Sequence, residues 1–260
     1  QLEETGTNVI VDGILNIEGK DYLNTGYTEW GASGLAAVWA ENNTRESIYD
    51  AFRRKETFAT TGSRIKVRFF GGYGLDNILD QKDPIKYAYA NASTMGSDLI
   101  QNANQAPEFM VWALRDVKRA PLDRVQIIKG WTELSGKPHE KIYDVACSDG
   151  RTANPKTGLC KDSGAKVNLN NCKISKNVGA DELKVVWKDP DFNPDHKAFY
   201  YVRVLENPTC RWSTWDAIKS GEKPRSDLPS TIQERAWSSP IWYVPDNEGI
   251  TIRNILPDDV

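Results

Sequence analysis

The chain has no excess of positive charge. Its 33 Lys and Arg face 36 Asp and Glu, for a net charge of -3, so it carries no basic field to hold a phosphate backbone or an anionic membrane surface. Nucleic acid is therefore not an expected partner. Long apolar runs are missing too: none is longer than Leu35 to Ala40, far short of the roughly 20 residues a spanning helix needs, and no membrane span is expected. Histidine is scarce, with only His139 and His196. No Cys-x-x-Cys pair brings two thiolates onto one zinc ion. The absence of a Gly-x-Ser-x-Gly elbow, a phosphate-binding loop and a dinucleotide fingerprint removes support for serine hydrolase or nucleotide chemistry. The chain begins at Gln1 without an initiator Met or a charged-then-apolar leader, which points to a removed signal peptide or to cleavage from a larger precursor.

What is abundant is aromatic: nine Trp, ten Tyr and seven Phe in 260 residues are enough to build a substantial core. Four cysteines, Cys147, Cys160, Cys172 and Cys210, lie in the second half among Gly, Asn, Asp and Lys. An even count without metal-ligand spacing reads as two disulfides stapling long loops in an oxidising compartment, periplasmic or secreted. Three connectivities are possible. Cys147 with Cys160 and Cys172 with Cys210 is preferred, because the first pair closes a local loop.

The order of elements can be read from the pattern. Residues 1 to 34 are rich in Gly, Asn and Thr, with weak strand candidates at Asn8 to Val11 and Ile14 to Ile17. Leu35 to Ala40 is apolar at every position, as in an interior strand with a neighbour on each side. Asn43 and Thr44 offer a helix cap, Glu46 and Arg53 to Lys55 match the helix dipole, and Ile48, Ala51 and Phe52 form its apolar stripe. Thr57 to Thr60 and Arg64 to Phe69 follow as strands, the second placing Ile65, Val67 and Phe69 on one face. After the Gly71-Gly72-Tyr73-Gly74 turn the helical signal is poor. Six β segments recur instead: Phe109 to Leu114, Arg124 to Ile128, Lys141 to Ala146, Leu183 to Trp187, Phe199 to Leu205 and Ile241 to Val244.

The run Gly34 to Glu46, with Ala51 to Arg54 and Phe58 to Ile65, resembles the end of a PHP-type (polymerase and histidinol phosphatase) domain in a branch of metal-dependent hydrolases. Three later stretches, Trp187 to Phe192, Ala198 to Glu206, and Thr231 to Trp237 with Ser239 to Tyr243, resemble an exported bacterial family of unknown function. The resemblance implies an α+β chain: residues 1–72 complete a PHP-like barrel, and residues 73–260 form a β-rich, sandwich-like domain. It also implies a hydrolase of an ester or phosphoester that works through a metal-activated water. The zinc, manganese or iron ligands would lie upstream of this chain, in the amino-terminal part of the same precursor, and none of these ions would be bound by this chain alone.

Candidate site residues follow from both arguments. Glu41, where the Leu35 strand runs out, is a candidate for the active-site wall, since strand ends line such barrels; satisfying backbone donors at the helix start is the competing reading. Arg64 after the Thr61-Gly62 turn suits an anionic substrate group, or equally a wet strand face. Arg211, Trp212, Arg235 and Trp237 combine Arg with Trp as substrate-binding surfaces do, although a buried aromatic core with paired Arg explains them too. The loop Asp189 to Asp195 spaces oxygen side chains two apart, but Pro194 and Tyr200 replace the Gly and Glu of a calcium loop, and turn closure accounts for it better. The two histidines read as solvated. A rival function from another class is a disulfide-stapled β-sandwich that binds a glycan, lipid or protein through its Trp and Tyr.

Overall fold

The computed structural model of the protein describes residues 13–17, 19–24 and 30–245. Gly13–Ile17 (β1) and Lys20–Asn24 (β2) pair as an antiparallel hairpin, so the second of the two early strand candidates is present and Asn8 to Val11 lies outside the described residues. Next come β3 (Leu35–Val38), α1 (Arg45–Arg53), β4 (Thr57–Thr60) and β5 (Lys66–Gly72). The Thr44 hydroxyl accepts the Ser47 N–H at 3.2 Å and begins α1 as its side chain dictates.

The middle of the chain supplies α2 (Pro84–Asn91), β6 (Ser93–Thr94), β7 (Asp98–Ile100), β8 (Glu108–Leu114), β9 (Leu122–Thr132) and β10 (Pro138–Cys147). It is followed by β11 (Val167–Asn168), β12 (Lys173–Ile174), β13 (Glu182–Lys188) and β14 (Lys197–Glu206). The last elements are β15 (Thr209–Cys210), α3 (Trp212–Lys219), β16 (Thr231–Ile232), β17 (Arg235–Ser238) and β18 (Ile241–Val244). All six expected β segments of the second part are strands, most of them longer than their apolar cores.

Two sheets carry the fold. The larger has eight strands in the order β10-β9-β14-β17-β4-β3, with β18 also paired to β14 and β7 paired to β18; the smaller runs β13-β8-β5-β6. They pack face to face. Strand alternation decides which side chains meet: Tyr200, Val202 and Val204 of β14 and Val125 and Ile127 of β9 point inward against Val67 and Phe69 of β5 and Phe109 and Val111 of β8. Phe109 sits at the centre, with its ring 4.3 Å from that of Tyr200 and 5.5 Å from that of Phe69. A smaller core of Phe70, Leu75, Ile78, Ala88 and Met110 lies under α2, on the other side of the small sheet.

Three expectations change. No sheet is closed among the described residues, and the PHP-like barrel end is replaced by strands of an open sandwich. Its pairing crosses the boundary drawn at 72 and 73: β4 bonds to β17 and β5 to β8. Second, among the described residues β3 is an edge strand, not an interior one; it pairs there with β4 alone, and Leu35 is 44% exposed. Apolar residues at every position read alike whether a strand has one neighbour or two. Third, α2 and α3 occupy a region of poor helical periodicity. Each spans eight residues, too short for a convincing stripe, but Asp83 accepts the Lys86 N–H ahead of Pro84, a start signal that local chemistry does carry.

Candidate functional site

The cysteines settle first. Cys147 bonds Cys160 and Cys172 bonds Cys210, the pairing preferred from loop length. The first bridge fastens the loop after β10 over the outer face of the large sheet, where a 640 Å³ cavity opens. Its floor is polar because the core-facing residues of β9, β14 and β17 alternate with outward ones. Gln126 of β9 lies between Asp144 of β10 and Arg203 of β14 in register. Its amide donates to Asp144 at 2.6 Å and accepts from Arg203 Nε at 2.6 Å. A bulge between Asp144 and Ala146 interrupts the β10 register beside this row. Asp123, nearly buried, is held by Arg124 and by Arg151 at 2.8 Å, and Asp144 also accepts the Cys160 N–H at 2.7 Å.

Arg235 lines this cavity, with its guanidinium 5.9 Å from the ring centre of Trp237 on the same strand. The other half of the expected late cluster behaves differently. Arg211 and Trp212, at the start of α3, both donate to the Trp30 carbonyl, at 2.6 and 2.9 Å. Arg211 is buried. These two therefore anchor the segment before β3.

A second cavity, of 410 Å³, lies where β3 ends. Glu41 lines it, together with Trp39, Arg54, Glu56, Arg68 and Tyr89. The Arg68 guanidinium stacks 3.6 Å over the Trp39 ring and donates to the Tyr89 hydroxyl at 2.9 Å. That hydroxyl in turn donates to Glu56, which is buried and lies 3.6 Å from Arg54. Burial, and then the Glu56 carboxylate, push the Tyr89 hydroxyl up to about 12, so Tyr89 stays a proton donor at ordinary pH. An adjoining 160 Å³ cleft shares Trp39 and Arg68 and adds Trp112 and Lys66. Arg64 is absent from this lining; its backbone N–H donates to Asp116 at 2.9 Å on the far side of the β4 turn.

The two histidines are apart and partly buried: His139 stacks on Trp131 with its Nε2 2.7 Å from Glu133, and His196 contacts Asn193. In the Asp189 loop, Asp189 accepts the Asp191 N–H and Asn193 the Asp195 N–H, both at 2.9 Å, as turn closure requires. The buried Lys129 ammonium, 2.6 Å from Asp189, fills the place a cation would take. Among the described residues no three His, Cys, Asp or Glu side chains converge as ion ligands. This donor set does not fit a PHP-type metal centre.

One feature was missed in the sequence. Glu206 and Glu234 face each other across the extension of the β14–β17 ladder, where the Glu206 N–H donates to the Glu234 carbonyl at 2.9 Å. Glu206 is fully buried, and neither of its carboxyl oxygens has an aligned donor among the described residues. Burial pushes this carboxyl up to about 8; the Ser63 hydroxyl beside it opposes the rise and the Glu234 charge adds to it. Only the two strands' register, invisible in either segment alone, brings these acids together.

No helix among the described residues is long and apolar enough to cross a membrane. No curated protein and no solved structure matches the chain. A family model described as a protein of unknown function (DUF3604) matches residues 9–245. With nearly the whole chain covered, from the β1–β2 hairpin to the end of β18, the protein belongs to the DUF3604 family.

Proposed function

We propose that this chain is the carboxy-terminal portion of a metal-dependent hydrolase acting on an ester or phosphoester, and that the cavity at the end of β3 is the stretch of substrate wall it contributes. The observation that carries this reading is the meeting of Glu41, Arg54 and Trp39-stacked Arg68 around one 410 Å³ cavity. The bacterial, PHP-type relationship rests on the sequence resemblance. Two disulfides suit an oxidising compartment, and the location is read as periplasmic or secreted.

On this reading the metal ligands would belong to the amino-terminal part of the precursor, and ions held there would supply an activated water. This chain binds and orients. Arg68, held flat by Trp39, offers its remaining N–H groups to an anionic oxygen, and the Arg54 fork reaches the same space. Glu56 and Tyr89 fix Arg68 from behind, so its geometry is set before substrate arrives. The aromatic cleft shared by Trp39 and Trp112 favours a second reading, a non-catalytic module that binds a glycan, lipid or protein.

The polypeptide encoded by the whole gene decides between them. Its hydrolysis of p-nitrophenyl esters and phosphates is measured alongside its metal content. Arg68→Lys keeps the charge but loses the stacked fork, and is expected to raise KM about tenfold with kcat little changed. No hydrolysis by metal-loaded protein, or a KM unmoved by the substitution, rejects the hydrolase wall.

A further inference from the structure

The larger cavity, under the Cys147–Cys160 loop, stands apart from the β3 cavity and has its own chemistry. We propose that it is a binding site for a small polar molecule bearing one oxyanion, a carboxylate or phosphate monoester of about sugar size. The argument begins with which charges are already answered. Three carboxylates line the wall: Asp123 is answered by Arg124, Arg151 and, at 3.4 Å, Gln233, Asp144 by Gln126 and the Cys160 N–H, while Asp162, exposed on the stapled loop, accepts only the Gly164 N–H at 2.9 Å among the described residues. Arg124 and Arg151 are consumed in doing so.

The remaining cations are not answered. Arg235 uses its Nε on the Gln233 carbonyl at 3.2 Å, and Arg203 uses its Nε on Gln126. Their outer N–H groups have no acceptor among the described residues, nor has the Lys161 ammonium on the stapled loop. Arg235 and Lys161 both line the cavity, and Arg203, which pairs with Trp237, lies diagonally across the ladder from Arg235, which pairs with Leu205. With Arg151 and Arg203, which bond to lining side chains, five cations (Arg124, Arg151, Arg203, Lys161 and Arg235) thus stand against three acids around an open cavity, a surplus of positive charge. Guanidinium forks match carboxylate and phosphate oxygens two at a time, which selects an oxyanion over a neutral polyol.

The volume supports a molecule larger than an inorganic ion: 640 Å³ lies within the range of small-molecule sites. The floor is also built before any ligand arrives. Asp123, Gln126 and Asp144 are each less than a tenth exposed, and the hydrogen-bonded row Asp144, Gln126, Arg203 fixes the Arg203 side chain. The disulfide holds the opposite wall, since Cys160 itself lines the cavity. Preformed walls lower the ordering cost of binding.

Calorimetry on the 260-residue chain at low salt tests the site with three probes: galacturonate, galactose 6-phosphate and galactose. At least one of the two anionic sugars is expected to bind, and whichever binds identifies the oxyanion; galactose is expected to bind at least tenfold more weakly. Arg235→Gln is expected to weaken the anionic sugar about tenfold, the loss of one charge-assisted pair. Lys161→Glu changes an exposed side chain that holds no part of the fold, so it keeps the test valid if Arg235→Gln unfolds; it is expected to weaken binding by a similar factor. Absence of binding by both anionic sugars, equal affinity for galactose, or unchanged affinity in the Lys161→Glu chain overturns the proposal.

Discussion

The two edges of the large sheet are finished in opposite ways. At one edge, β10 is covered by its own following loop: the Asp144 N–H donates to the Gly158 carbonyl at 2.9 Å, Ala153 bridges to Cys160, and the disulfide locks the cover in place. At the other, β3 pairs on one side only among the described residues, and Leu35, Tyr49 and Phe52 around it are 44%, 59% and 52% exposed. Bare, partly apolar edges are liabilities that proteins usually blunt. The first edge is blunted from within the chain. The second is where, on the function proposed above, the amino-terminal part of the precursor would dock.

The contrast is tested most strongly by cutting the staples. Loop-entropy arguments assign about 4 kcal/mol to the bridge spanning 38 residues and about 3 kcal/mol to the one spanning 13. Cys172→Ser with Cys210→Ser should therefore lower the denaturation midpoint more than Cys147→Ser with Cys160→Ser. The second pair should additionally speed amide exchange in β10, until that edge resembles β3. Equal exchange at both edges in the unmodified chain would erase the distinction.

Between the edges, the buried Glu206 makes stability depend on pH. Its folded pKa of about 8 lies above an unfolded value of about 4.3, so the folded state holds its proton more tightly. Its contribution to stability is complete below about pH 4, falls as pH rises toward 8, and is flat above that. The total change is on the order of a few kcal/mol, and Glu206→Gln should remove it from a series of denaturation curves. A slope unchanged by that substitution would assign the titration elsewhere.

The smallest expected effect belongs to the β3 end. Thr44→Ala removes the cap of α1 at a cost of about 1 kcal/mol. Since this end should open before the sandwich unfolds, the loss should appear as faster exchange within α1 and leave the global midpoint nearly unmoved. A matching drop in the midpoint would show that both ends melt as one unit.

Much of this arrangement can be read from local sequence. The alternation Ile65, Val67, Phe69 fixed which face of β5 is inside, Thr44 marked the start of α1, and the spacing of Cys147 and Cys160 favoured their bridge. Glu41, which follows an apolar strand, lines the cavity at that strand's end. Properties that depend on pairing were not legible. Leu35 to Ala40 looks the same whether it has one neighbour or two, and nothing in the composition of β4 reveals that it joins β17. Arg235 and Arg211 sit in similar aromatic surroundings in sequence, yet one faces a cavity and the other a backbone carbonyl. Glu206 and Glu234 each pass for surface acids until register places them opposite one another.

The bulge in β10 decides a question of parity. Asp144 and Cys147 are three residues apart, an odd step that in a regular strand sends them to opposite faces. Val145 and Ala146 together oppose Val125, so Asp144 pairs with Gln126 and Cys147 with Arg124, two residues that share the outer face. The single extra residue turns an odd step into an even one. The same residues paired without the bulge would bring Cys147 opposite Asp123 and aim it into the core, out of reach of Cys160, whereas deleting Val145 would leave an even step of two and keep Cys147 on the outer face. The oxidative pairing of this chain is thus encoded as much by a count of backbone residues as by its cysteines.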